Sequence, residues 1–330
     1  MKDMEIVPEG KNFRLVTEDE LPALADFLVQ YMPESLKFHQ TIQTYLNNKV
    51  WDFHFYVAKN WPEDPICLHF PGCTSTPNGD PYESVTVFCP AARAALVDLL
   101  AADDVLLDPA RPLYINFTHE AIVARLQRRY EARDAIAGDV YVCDTPPAED
   151  STDGAQDSES GAAGVAEGAA GAGAADGADA ADAADGADGA DAAEADAAGA
   201  ADGAGVVARL RREHMRAVYA VYPARDIECR EVFERLAAAL PAYGVFVDGE
   251  LAAWMVQSYY GAMFSMQTRP EFRRRGFGTS LARRLTAAVA ARGYRPFVVI
   301  RPENDASRAL YTKLGFTRRF RTVRAVLHPR

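Results

Sequence analysis

The 330-residue chain contains no apolar run approaching the ~20 residues that span a bilayer, so no membrane partner is expected. Its first ten residues, Met-Lys-Asp-Met-Glu-Ile-Val-Pro-Glu-Gly, have neither the apolar core of a signal peptide nor the Arg-rich, acid-poor character of a transit peptide. An intracellular location is the expectation, cytoplasmic with a mitochondrial one left open. There is no Cys-x-x-Cys among Cys67, Cys73, Cys89, Cys143 and Cys229, which reads as reduced, mostly buried thiols. The six histidines show no ligand spacing, and no metal is expected. No Gly-Lys-Ser/Thr triplet exists, which excludes a phosphate loop of that type.

One stretch lacks most of what a core needs. Residues 149–205 have no lysine, arginine, proline or aromatic, and carry 15 acids. Asp or Glu recurs at 176, 179, 182, 185, 188, 191 and 194 within alanine and glycine. A period of three keeps no face of a 3.6-residue helix, and glycine costs about 1 kcal/mol at each helical position. Glycine is not at every third position, so collagen is excluded. With nothing to bury, 145–205 is expected to be a disordered acidic linker between a half at 1–144 and a half at 206–330. Residues 1–148 carry a net charge of −10 and residues 206–330 one of +13, within −12 for the whole. The basic half should therefore meet an anion. Nucleic acid is not expected, because many of its arginines crowd one turn and no stacking-aromatic motif accompanies the rest.

That turn is Thr268-Arg-Pro-Glu-Phe-Arg273-Arg274-Arg275-Gly276-Phe277-Gly278-Thr279-Ser280. The apolar run Met263–Met266 enters it like a strand, and Leu281, Leu285, Ala288 and Val289 leave it at helical spacing. The first amides of a helix lack partners and lie at the positive end of its dipole. Gly276 and Gly278 lack the Cβ atoms that would hold a pyrophosphate away from such amides. Ala282 and Arg283 follow, so the third glycine of a dinucleotide fingerprint is missing.

Further cues order the rest. Thr17 with Glu20 makes a Ser/Thr-x-x-Glu helix start before Leu21, Leu24, Leu28 and Tyr31. Helices are expected near 35–46, 91–100, 120–131, 209–222, 229–240, 278–292 and 304–314. Strands are expected at 13–17, 53–57, 66–70, 84–88, 113–117 and 140–143, then as a meander over 243–268 with an Asp248-Gly249 turn, at 297–300 and over 316–327.

Arg273-x-x-Gly276-x-Gly278 resembles the acyl-CoA signature of the GNAT acyltransferase superfamily. Asn304-Asp-Ala-Ser307-Arg-Ala-Leu-Tyr311-Thr-Lys-Leu-Gly315-Phe316 resembles that superfamily's other acyl-CoA element. Asn304, Ser307 and Tyr311 lie at i, i+3 and i+7, one helix face. A narrower resemblance, to the glycine N-acyltransferase family, rests on 240–246, 251–254 and 269–273. At the other end it rests on Pro33–Lys37, Trp61-Pro62 and Thr86–Pro90.

The resemblance implies an α+β, tandem GNAT-like fold, each half a mixed sheet flanked by helices, with only the C-terminal half binding acyl-CoA. It implies an acyl-CoA-dependent N-acyltransferase acting on a small amine, such as the amino acid glycine. The alternatives are a protein or an arylalkylamine or polyamine N-acetyltransferase, and a catalytically weak acyl-CoA-binding protein. It implies acyl-CoA contacts from Met266, Thr268, Arg273, Arg274, Arg275, Gly276, Phe277, Gly278, Thr279, Ser280, Asn304 and Ser307. Oxyanion donors would come from the strand near Met266–Thr268, and Tyr311 would protonate the leaving thiolate. The family's basic glutamate falls on Ala262, leaving Glu250, Tyr259, Tyr260, a water chain or an acceptor amine of low pKa to substitute.

Overall fold

The computed structural model describes residues 9–51, 53–71, 74–75, 81–82, 84–146, 199–201, 205–222 and 230–330. These belong to one unit made of Met1–Glu149 with Ala198–Arg330. Most of the acidic stretch, together with Cys73 and Cys229, lies outside the described residues.

In chain order the strands are β1 Phe13–Leu15, β2 Phe53–Ala58, β3 Cys67–Pro71, β4 Thr74–Ser75, β5 Pro81–Tyr82, β6 Ser84–Phe88, β7 Leu113–His119, β8 Tyr130–Val142, β9 Gly199–Ala201, β10 Gly205–Arg209, β11 Ala242–Val247, β12 Glu250–Gln257, β13 Met263–Thr268, β14 Phe297–Ile300 and β15 Thr317–Pro329. The α-helices are α1 Leu21–Leu28, α2 Leu36–Asn48, α3 Val97–Ala101, α4 Glu120–Leu126, α5 Met215–Ala220, α6 Arg230–Ala239, α7 Phe277–Ala291 and α8 Asp305–Lys313. No helix among the described residues is long and apolar enough to cross a membrane.

The expected α+β class, with sheets flanked by helices, is what forms. One sheet runs β1-β2-β3-β6-β7-β15-β8-β14 and a second runs β13-β12-β11-β10-β9. The first is mixed, since β6 and β7 are parallel within an otherwise antiparallel ladder, whereas the second is antiparallel throughout. The long C-terminal strand β15 inserts between β7 and β8, and β14 closes the edge beside β8. The two ends of the chain thus complete one sheet.

Local chemistry explains most element boundaries. Thr17 and Glu20 form the expected capping box, the Thr17 amide donating to Glu20 Oε2 at 3.0 Å. Leu21, Leu24 and Leu28 bury one face of α1. Asp248 and Gly249 take positive φ of 51° and 82°, as a two-residue hairpin requires. Gly293 and Gly315 do the same just past α7 and α8.

Four expectations change. The helix foreseen over 120–131 stops at Leu126, because Tyr130 already pairs with Pro329 in the β8–β15 ladder. The stretch foreseen as a helix from 209 begins as strand β10, paired with β11, and only Met215–Ala220 is α-helical. Gly199–Ala201, placed within the linker, pairs with β10 as β9. The segment foreseen as a helix over 91–100 is 3₁₀ to Leu96 and α-helical only from Val97.

Candidate functional site

The two strands that frame the glycine turn belong to different sheets. β13 pairs with β12 on one side, while β14 pairs with β8. They meet once, at a parallel bridge between Ala262 and Phe297, and then diverge. A backbone irregularity sharpens the opening. The β12–β13 register slips between Trp254 and Val256, and Ser265 takes φ of 53°, as a β-bulge does. Between the diverging strands lies a cleft of about 260 Å³. Ser265, Met266 and Gln267 form one wall, and Val298, Val299 and Ile300 face them. The outer edge of β13 has no strand partner among the described residues, so its backbone polar groups border the cleft.

The glycine turn lies at the wide end. A single 3₁₀ turn, Pro270–Phe272, leads to Arg274 at φ 66° and Gly276 at φ 78°. The amides of Thr279 and Ser280 return to the Gly276 carbonyl at 2.9 and 3.1 Å. Those of residues 274–278 meet no backbone acceptor among the described residues, so donors at the positive end of α7 converge on open space. Gly276 is required by its left-handed backbone. Gly278 is not required by packing, since a Cβ there would lie 3.7 Å from Met266 Sδ, an ordinary contact. Its bareness suits a ligand that approaches the backbone.

The candidate residues do not all offer their side chains to the cleft. Phe277 is 1 % exposed and packs into the core, leaving only its amide for a ligand. Arg273 Nε turns back to the Thr268 carbonyl at 3.3 Å, and the Arg275 guanidinium stands 5.3 Å over the Phe272 ring. Arg273, Arg274 and Arg275 have no carboxylate within ion-pair distance among the described residues. Asn304 is a cap: its Oδ1 accepts the Ser307 amide at 3.0 Å and starts α8. Asn304, Ser307 and Tyr311 all line the cleft.

Tyr311 is buried, its hydroxyl 3.7 Å from Met255 Sδ and from Met266 Sδ, its ring edge-on to Phe316. Burial pushes its phenol well above the ordinary tyrosine range, which keeps the proton on the oxygen at neutral pH. Of the substitutes for a base, Glu250 is tied to Arg269 on the surface and does not line the cleft. Tyr260 does line it, with Lys37 Nζ 4.9 Å above its ring. The described lining contains no carboxylate and no histidine.

Sequence reasoning missed the far wall. Phe117 of β7, Gly138 of β8 and Arg324 of β15 close the cleft together with Arg301. No motif marks them, because they arrive through strand pairing across the halves.

Residues 242–325 match the family described as FR47-like protein. No curated protein sequence matches the chain. Among solved structures, a Drosophila protein is similar over 97 % of this chain and 99 % of its own, at 16 % identity and a TM-score of 0.69. A tandem GNAT protein from the clavulanic acid biosynthesis pathway aligns over 97 % of both chains at 12 % identity and a TM-score of 0.48. A GCN5-related N-acetyltransferase from Sphaerobacter thermophilus covers 96 % of both at 13 % and 0.47. The likeness to the Drosophila protein, which extends over 97 % of this chain, is one of fold.

Proposed function

We propose that the protein is an acyl-CoA-dependent N-acyltransferase of the GNAT type. The observation that carries this reading is the pairing of a strand splay with an anion seat. Among the described residues, a β13 edge without a strand partner faces a cleft that ends at helix-start amides without a backbone acceptor and at three arginines without a carboxylate partner. That arrangement suits an elongated thioester with a pyrophosphate at one end. The FR47-like match covers β11 through most of β15, which includes all of these parts.

In this reading the turn amides of residues 274–278 and Arg273–Arg275 hold the pyrophosphate. The β13 edge near Met266 orients the thioester carbonyl and supplies donors to the oxygen as charge develops on it. The Tyr311 hydroxyl, kept protonated by burial, gives its proton to the departing sulfur. The attacking amine must be neutral, and its proton leaves by way of Tyr260 or water, since the described lining offers no carboxylate. Arg301 and Arg324 line the acceptor side and have no ion-pair partner among the described residues. They favour an acceptor that carries its own anionic group, such as an amino acid.

The test is product analysis by mass spectrometry after incubation with several acyl-CoAs and a panel of amines. N-acylated amino acids are the expected products. Tyr311→Phe should keep CoA binding and lose roughly 10²–10⁴-fold in turnover where thiolate protonation limits the rate. CoA binding with no acyl transfer to any amine would favour the acyl-CoA-binding alternative.

A further inference from the structure

Phe117 is out of place in a strand. It takes φ of 41°, where the β7–β15 ladder slips between Val323 and Ala325, so a bulky side chain occupies a left-handed bulge. Strain of this kind persists only where the surroundings enforce it, and it clusters at functional sites. The surroundings here are specific. A Cβ on Gly138 would lie 2.4 Å from Val299 Cγ1 and 3.3 Å from Phe117 Cε1, so glycine leaves the space in which the two side chains pack.

Phe117 and Val299 line two cavities at once. One is the cleft; the other is a mainly apolar cavity of about 30 Å³ beneath the start of α2, walled by Leu36, Phe38, Val140, Phe297 and Phe320 with Lys37 and His119 at its margin. A cavity of that size holds one or two water-sized groups, against the ~10–15 Å³ that a single water needs. The cleft also has a direction. The turn amides lie beyond Thr268, Tyr311 touches Met266, and the bridge at Ala262 closes the narrow end. A thioester whose sulfur lies near Tyr311 therefore aims its acyl chain at the Phe117–Val299 partition.

Resting on the proposed function, we propose that Phe117, backed by Val299, is the stop of the acyl subsite. It confines the donor to short acyl groups and keeps the apolar cavity beyond it closed. Truncating the ring joins the two spaces into one apolar pocket.

The experiment uses the full chain and reads affinities for acetyl-, butyryl- and octanoyl-CoA by calorimetry, so no acceptor need be known. Wild type should bind octanoyl-CoA more weakly than acetyl-CoA. Phe117→Ala should raise the octanoyl-to-acetyl affinity ratio by roughly tenfold or more, the discrimination one methylene produces in an apolar pocket. Val299→Ala opens the partition from the other side, with no strained backbone at stake, and should shift the ratio in the same direction. An unchanged ratio in folded variants that still bind CoA overturns the role of Phe117 and leaves the acyltransferase reading intact. Equal wild-type affinity for short and long chains also overturns it. Absence of any CoA binding in the wild type removes the cleft assignment beneath both.

Discussion

The molecule contains the same strand–helix–strand unit twice, and the copies differ in what their helix amides meet. In the N-terminal half, β6 and β7 run parallel, paired at Ser84–Tyr114 and Val85–Ile115, with α3 between them. In the C-terminal half, β13 and β14 flank α7 and come together only at the parallel bridge between Ala262, just before β13, and Phe297. After β6 the chain turns through Pro90, which has no N–H, and the Ala91 amide donates to Glu34 Oε2 at 2.8 Å. The nearby Arg93 pairs with Asp64 at 3.1 Å. After β13, among the described residues, the amides of 274–278 have no backbone acceptor and Arg273–Arg275 have no carboxylate partner. The N-terminal unit thus meets a carboxylate of its own chain where the C-terminal unit stays open to a ligand. Beyond its paired residues lies the 30 Å³ cavity, against 260 Å³ between β13 and β14.

The comparison breaks most directly at Gly278. A Cβ there would meet nothing closer than Met266 Sδ at 3.7 Å, so Gly278→Val should fold with a nearly unchanged melting temperature. It should nevertheless lose CoA affinity by two orders of magnitude or more, because its Cβ branches point at the amides' ligand. Gly276→Ala should lose affinity and also stability, since a left-handed backbone costs an L-residue about 1–2 kcal/mol. Calorimetry with thermal melts separates the two. Wild-type affinity in Gly278→Val would move the anion seat elsewhere.

The converse substitution is smaller in effect. Glu34→Gln replaces a charged acceptor at the Ala91 amide with a neutral one. Stability should fall by about 1 kcal/mol, the usual difference between charge-assisted and neutral hydrogen bonds. Urea denaturation measures it. CoA stoichiometry should remain one per chain, and a second bound CoA would show that the Glu34 carboxylate alone closes the N-terminal unit.

The legible parts of this fold were those whose chemistry is local. The glycine turn, the capping box at Thr17 and the Asp248-Gly249 hairpin each depend on residues within a few positions, and each formed as expected. The cleft's far wall depends on pairing between residues nearly two hundred positions apart, such as Arg324 with Ile136. It also depends on bulges that turn Phe117 and Ser265 into left-handed backbone. Hydrophobic periodicity carries no trace of either. The strand β10 was missed because Val206 and Val207 are too short a run beside glycine and alanine to outweigh the helical pattern after them. Asn304 was readable in principle: an Asn followed by Asp, Ala and Ser at a helix start is an N-cap before it is a ligand.

The smallest effect concerns pH. His69 of β3 is fully buried among the rings of Phe38, Phe53 and Phe55, 5.2 to 5.8 Å between centroids, and neither ring nitrogen has a hydrogen-bond partner among the described residues. Burial, then the Lys37 ammonium, hold its pKa well below the usual imidazole value. Below about pH 6.5 the unfolded chain takes up this proton and the folded chain does not. Stability therefore falls as pH drops from that point, by at most about 1.4 kcal/mol per unit from this residue. The paired carboxylates act lower: Glu20, held at about 2 by Arg14, begins to cost stability only below its ordinary value of 4.5. In the C-terminal half, buried Tyr311 has its pKa raised, so its contribution is full below pH 10 and is lost only in alkali. Acid lability between pH 5 and 6.5 should thus belong to the N-terminal unit. His69→Leu, similar in volume and without polar atoms, should flatten the stability profile in that window and leave CoA affinity unchanged. Denaturation midpoints at pH 5.0, 6.0 and 7.5 test it, and a slope equal to wild type would mean that the imidazole is hydrogen-bonded or solvated when folded.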